Sequence, residues 1–145
     1  MSAELLVANL LRVAREDLEG ARLLHANANR NAVYLCEQAA EKILRAVLTT
    51  EGVHGGIKHQ LDQMVDLIPD ANPLKASLRS IEHLSAYATS YRYPTAAGRV
   101  APSPAGAVLA ADLDRVEAVL REVAERFDVD LLARDTRAGS VRPAR

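Results

Sequence analysis

The stretch AVYLCEQAAEKILRAVLTTEG, residues 32–52, decides the fold. Val33, Cys36, Ala40, Ile43, Leu44 and Val47 recur at three- and four-residue steps, which gathers them on one face of an α-helix and does not suit the two-residue period of a strand. Ala, Leu, Glu, Lys and Arg fill most of the other positions, and all are good helix formers. Gly52 suits the position just past a helix end, and the VHGG that follows at 53–56 keeps the chain out of helix.

Upstream, residues 3–26 carry Leu6, Leu10, Val13, Ala21 and Leu24 at helical spacing. The intervening NANRN at 27–31 is rich in Asn, which favours turns and caps. Downstream, a short third helix is expected near 60–68, with Leu61, Met64, Val65 and Ile68, before Pro69 stops it. A fourth is expected to open at Pro73 and to carry Leu74, Leu78, Ile81, Leu84 and Ala88. Residues 91–99, YRYPTAAGR, are too polar and too punctuated for helix. Ser103 and Pro104 form a cap-plus-proline start for a fifth helix, whose Leu109, Leu113, Val116, Leu120, Val123 and Phe127 make a narrow apolar seam.

No stretch alternates like a strand, and the loops are short. The fold expected is therefore all-α, an antiparallel up-and-down bundle of about five helices. One domain over residues 1–130 accounts for the core, and residues 131–145, rich in Arg, Asp, Gly, Ser and Pro, are expected to be a flexible tail.

Composition narrows the functions. With 3% aromatic residues and no Trp, the chain cannot offer an aromatic platform on which successive bases stack. A formal net charge of -1 leaves only a local basic patch for any nucleic acid. Cys36, the single cysteine, excludes an intrachain disulfide and falls in an apolar run, where a packed, inert thiol is expected. The N-terminus lacks both a basic leader and an uncharged run long enough for a bilayer, so the expected location is cytoplasmic. Neither a cofactor nor a metal is expected. His54 and His59 have no cysteine or third ligand near them in sequence.

Among residues that could carry chemistry, Asp17 stands between Leu10, Val13, Ala21 and Leu24, so a carboxylate interrupts an apolar stripe and needs a partner. If the first two helices form a hairpin, Lys42 and Gln38 come within reach of it. The pair is either a structural tie that fixes register or a buried acid lining a site. Gln38, Glu41, Lys42 and Arg45 share a face of the second helix and read equally as a solvated surface. Arg79, His83, Tyr87 and Tyr91 follow at steps of four, which would align a cation, an acid–base group and phenols, or simply the polar edge of an amphipathic helix. Lys58 and His59 precede the third helix, whose start could attract an anion. Arg92 and Arg99, flanked by Tyr91 and Tyr93 and stiffened by Pro94, form the chain's one cluster of cations with phenols, suited to a phosphate or carboxylate.

In this order these segments resemble a HEPN domain (higher eukaryotes and prokaryotes nucleotide-binding domain). The resemblance rests on AREDLEGARLL, then YLCEQAAEKILRAVL with Tyr34, Gln38, Ala39, Glu41, Lys42 and Arg45, then KHQLDQMVDLI, and SYRYPT before a long final helix. It runs from about Leu6 to Phe127. The family implies a helical bundle that commonly dimerises, often beside a minimal nucleotidyltransferase in a toxin–antitoxin pair. The apolar seam at 109–127 and the first-helix stripe also suggest a homodimer. Many members are metal-independent ribonucleases with Arg, four to six residues, then His. Here Arg92 is followed by YPTAAG and then Arg99, with no histidine in the window, while Arg79 precedes His83 by only three intervening residues. The expectation is thus a non-catalytic binding module for a nucleotide, an RNA or a nucleotide-handling partner, with no membrane association. The alternative is a ribonuclease using Arg92 or Arg79 with His83.

Overall fold

The computed structural model describes residues 3–53 and 60–141. Among them there is no strand, and the chain is an all-α bundle. Its elements are α1 (Ala3–Ala26), α2 (Asn31–Thr50), α3 (Leu61–Asp66), α4 (Lys75–Arg79), a 3-10 turn (Glu82–Leu84), α5 (Ser85–Ser90) and α6 (Gly106–Arg126).

α1 and α2 form a tight antiparallel hairpin. Gly20 is a point of close approach, since a Cβ there would lie 3.1 Å from Leu35 Cδ1. The turn owes its shape to its asparagines, though not by their taking the strained conformation. Ala28 is the left-handed residue, at φ +53°. Asn27 donates from Nδ2 to the Leu23 carbonyl, and Asn29 accepts the Asn31 N–H on its Oδ1. Each thus satisfies a backbone group that a helix end leaves open.

The core-facing residues of α1 include Val7, Leu11, Ala14, Leu18 and Ala21; of the stripe expected from sequence, Ala21 is buried and Leu10 and Leu24 are half-buried. Leu6 and Val13, expected inside, are 40% and 41% exposed. Both sets have helical spacing and share Ala21; the small Ala14 lets α1 lie close to its neighbours, which Leu10 or Val13 turned inward would not. Asp17 therefore sits at the edge of the α1–α2 contact rather than in its middle.

α6 packs antiparallel to α1. Arg22 reaches Asp114 and Glu117 near its start, and Arg12 donates to the Asp130 carbonyl beyond its end. α2 and α6 consequently point the same way, and the short helices α3 to α5 carry the chain back between them. The α6 seam of Leu109, Leu113, Val116, Leu120, Val123 and Phe127 is buried within this single chain, so it does not supply the surplus surface for a second copy expected above. That helix also starts at Gly106 rather than at Ser103 and Pro104. The chain stays extended through Ala105 (ψ 140°), whose carbonyl receives the first helical N–H groups, from Val108 and Leu109.

The expected fourth helix is interrupted. Ile81 leaves the helical region at φ -116°, ψ 0°, and the Ser80 hydroxyl bonds back to the Ser77 carbonyl, competing with the helical ladder. The Ser85 hydroxyl accepts the Leu61 N–H at 2.5 Å and ties the starts of α3 and α5. Past α6, Phe127 and Val129 are buried, the Ser140 N–H donates to the Phe127 carbonyl at 2.6 Å, and Asn9 holds the Asp135 carbonyl at 2.8 Å. Gly139 permits this return: a Cβ there would stand 2.5 Å from the Phe127 oxygen.

Lys42 donates to Asp17 across the hairpin, and both side chains are mostly buried. Removing one partner strands the other charge in a poorly solvated place, so Asp17→Ala should lower unfolding stability by about 1–4 kcal/mol in urea titration. A variant as stable as the parent protein would show that the pair is only incidental.

Candidate functional site

The 3-10 turn, α5 and the loop after it set His83, Tyr87, Tyr91 and Arg92 against α6 and α2. The organising group is Asp112, on α6 and 8% exposed. One carboxylate oxygen lies 2.8 Å from His83 Nε2, and the other accepts the Tyr87 hydroxyl at 3.2 Å. Asp112 thus fastens the turn and α5 to α6. His83 remains about half exposed. Tyr87 and Tyr91 meet edge to face, with ring centroids 5.6 Å apart and an interplanar angle of 71°.

Three members of the expected stripe, His83, Tyr87 and Tyr91, therefore do lie together, despite the break in the helix. Arg79 does not join them. Its guanidinium is taken by Asp66 at 2.6 Å and Glu82 at 2.8 Å. Any acid–base pairing of Arg79 with His83 would first have to break those bonds.

Tyr91 is half-buried against Tyr87, so its ring faces inward, whereas Tyr93 is 72% exposed. Between them, Arg92 folds sideways onto α2. Its Cζ sits 4.6 Å from the Tyr34 ring centre, and Nη2 approaches the Tyr34 hydroxyl at 3.3 Å. Glu82 and Asp17 are committed to Arg79 and Lys42. Among the described residues no carboxylate pairs with Arg92 or Arg99. The loop closes at a turn in which Thr95 N–H donates to the Arg99 carbonyl at 2.7 Å and Gly98 takes φ +77°. Arg99 is held by its backbone, with its N–H on the Thr95 hydroxyl, and its side chain is exposed.

Gln38 does not reach Asp17. Its amide is shared by Glu37 and Glu41 on its own helix, and Glu41 also takes Arg45 at 3.1 Å. Lys58 and His59, and His54 with them, lie outside the described residues. Among those described, no group of three or more His, Cys, Asp or Glu side chains is placed to hold a metal ion, and no helix is long and apolar enough to cross a membrane.

Asp112 is absent from the residues that the sequence points to, although the signal is there. It stands three residues after Leu109 and four before Val116, a carboxylate on an apolar seam, which is the pattern read at Asp17. Its neighbours record its presence. Burial first, and then the Asp112 charge, push the Cys36 thiol up from 9.0 to about 12. Burial, followed by the charge and hydrogen bond of Asp112, raises the Tyr87 phenol from 10.0 to about 12.

Both groups therefore keep their protons in the folded chain at pH values where the unfolded chain gives them up. Folding stability should accordingly fall as pH rises from about 9 to 12. Spectroscopic titration of tyrosinate should show one late phenol that moves back toward 10.0 in Asp112→Asn, though only part of the way, because burial is the larger cause. A Tyr87 transition unchanged in that variant would mean that Asp112 does not govern it.

Of known families, the HEPN domain matches this chain, over residues 7–127, from α1 through the end of α6. No curated protein and no solved structure matches it.

Proposed function

The chain belongs to the HEPN domain family, a family of nucleotide-binding and ribonuclease type, and we propose that this member is a dimeric, non-catalytic module that binds a phosphate-bearing nucleotide through residues 91–99. The observation that carries the reading is Arg92, held on the Tyr34 ring, exposed, and with no carboxylate partner among the described residues. A guanidinium fixed in place before the ligand arrives loses less freedom on binding, and its planar fork suits phosphate oxygens. Arg99 supplies a second permanent cation at the far end of the loop, and exposed Tyr93 offers an apolar face between them. The nucleotide belongs to a partner's chemistry, for which a minimal nucleotidyltransferase in a toxin–antitoxin setting is the natural candidate from the family.

The residues at the loop's end support the non-catalytic reading. Arg99 stands where an acid–base group would be needed, and a guanidinium stays protonated at any working pH. One observation favours the ribonuclease reading. A half-exposed imidazole held by a buried carboxylate, as His83 is by Asp112, is the arrangement in which a histidine acts as a base. Cleavage by Arg92 with His83 would require a substrate to bridge them, since α5 and the Tyr87–Tyr91 pair intervene along the chain.

For the homodimer, exposed Leu6 and Val13 with half-buried Leu10 give α1 an outward apolar stripe. Light scattering at tens of micromolar, about the range in which a modest interface fills, should show a dimer that Leu6→Glu with Val13→Glu converts to monomer. A wild-type monomer at that concentration would count against it.

The functional reading is tested by nucleotide binding to the wild type and to the Arg92→Ala, Arg99→Ala double variant. Binding should be lost with an unchanged melting temperature. A lowered melting temperature with intact binding would make the loop structural. Purified protein should leave mixed RNA uncut, and cleavage that disappears in His83→Ala would instead establish the ribonuclease.

A further inference from the structure

We infer that Arg30 is a phosphate-binding residue and that, with Arg92, it seats a terminal phosphate group at the start of α2. The inference rests on the nucleotide-binding reading above and deepens it, by assigning the part of the ligand held at this end of the bundle.

The starting observation is a pair of orphaned donors. Arg30 Nε and Nη2 are both buried, and neither has a hydrogen-bond partner among the described residues. These two nitrogens form one edge of the guanidinium plane, the edge whose parallel N–H groups grip two oxygens of a single phosphate or carboxylate. Arg12 shows such an edge in use, with Nε and Nη2 both donating to the Asp130 carbonyl, and Arg22, Arg45 and Arg79 also have their guanidinium groups on carboxylates. Covering a charged donor edge without an acceptor is unfavourable, so a fold that keeps one is a fold in which an acceptor arrives from outside.

Position links Arg30 to the site already described. It precedes α2 directly and keeps helical backbone angles, φ -61° and ψ -21°, so it lies one turn before Tyr34 on the same face. Helical side chains lean toward the helix start, which directs the Tyr34 ring back over the turn that Arg30 begins. Arg92 lies against that same ring. Tyr34 thus carries Arg92 on its ring and stands one turn after Arg30, whose guanidinium edge is unpaired, and among the described residues no carboxylate pairs with Arg92.

Charge selects the ligand. The first turn of α2 contains no acidic residue. Glu37, the next carboxylate along, is buried and takes the Gln38 amide. Two permanent cations are therefore neutralised by an anion of about two charges. A carboxylate or an internal phosphodiester carries only one, whereas a terminal phosphate carries roughly 1.5 to 2 at neutral pH. The residue as a whole is half-buried and ends the 27–30 turn, directly before α2.

Calorimetric titration of the full chain with inorganic phosphate, adenosine 5′-monophosphate, adenosine, and the dinucleoside monophosphate of adenosine tests this directly. The first two should bind, and the last two, which lack a terminal phosphate, should not. Arg30→Gln should weaken phosphate and nucleotide binding about ten- to a hundredfold, the range expected for lost charge-assisted bonds. Arg30→Lys, which keeps the charge but not the two-pronged edge, should recover only part of it. Should the Gln variant fold poorly, the Lys variant and the wild-type preference for terminal phosphate still decide the matter. Equal phosphate binding by wild type and Arg30→Gln, equal binding of the dinucleoside monophosphate, or no phosphate binding by the wild type would each overturn the inference. Nucleotide binding undiminished in Arg30→Gln would leave the broader reading standing while this one fell. Phosphate bound through Arg30, with no gain from the attached nucleoside, would do the reverse.

Discussion

α2 has to be buried on nearly every side. Val33, Cys36, Ala39, Ala40, Ile43, Leu44, Ala46, Val47 and Leu48 are all in the core, and they span more of the helix circumference than one neighbour can cover. α1 takes one flank, α6 another, and the short helices α3 and α5 with the 3-10 turn close the remainder. The small residues Ala14, Ala21, Ala39 and Ala40 permit the close approach this needs. A helix so enclosed cannot leave polar groups unmatched, which is why Glu37 and Glu41 are met by Gln38 and Arg45.

That enclosure also shapes the candidate site. The chain must return from the end of α2 to the start of α6 along α2's open flank, and it does so in pieces too short to be stable alone. Asp112 compensates by fastening the 3-10 turn and α5 to α6 through His83 and Tyr87. Once those are fixed, Tyr91 stacks on Tyr87 and Arg92 falls beside Tyr34. The side chain of Arg92 is thus placed with the help of a carboxylate that it does not pair with.

Much of this is legible in the sequence, and the failures have physical causes. The α1–α2 hairpin, the Asp17–Lys42 tie and the loop's separation of Tyr93 from the core need only period and polarity. Phase on α1 does not follow, because two apolar sets of helical spacing compete and only the tightness of packing against α2 chooses between them. The break at Ile81 is invisible, because Ser77 and Ser80 are compatible with helix until the neighbours claim Arg79 and Ser85. Gln38 suits Asp17 by position, but its own helix already offers it two carboxylates. Asp112 and Arg30 escape the sequence for opposite reasons. Asp112 is written plainly on the α6 seam. Arg30 has the setting of any loop arginine, and only a structure reveals that its fork is covered and unpaired.

The central claim is that Tyr34 and the 91–99 loop form a phosphate-binding surface, distinct from the packing that holds the bundle together. Tyr34→Leu tests it most directly, because the ring positions Arg92 and lies only partly inside the core. Adenosine 5′-monophosphate binding should weaken by about an order of magnitude in this variant, comparable to removing a cation–π contact and the fixed charge it orients, while the melting temperature stays nearly constant. Undiminished nucleotide binding in Tyr34→Leu, or a loss of binding that merely follows a loss of stability, would contradict the account.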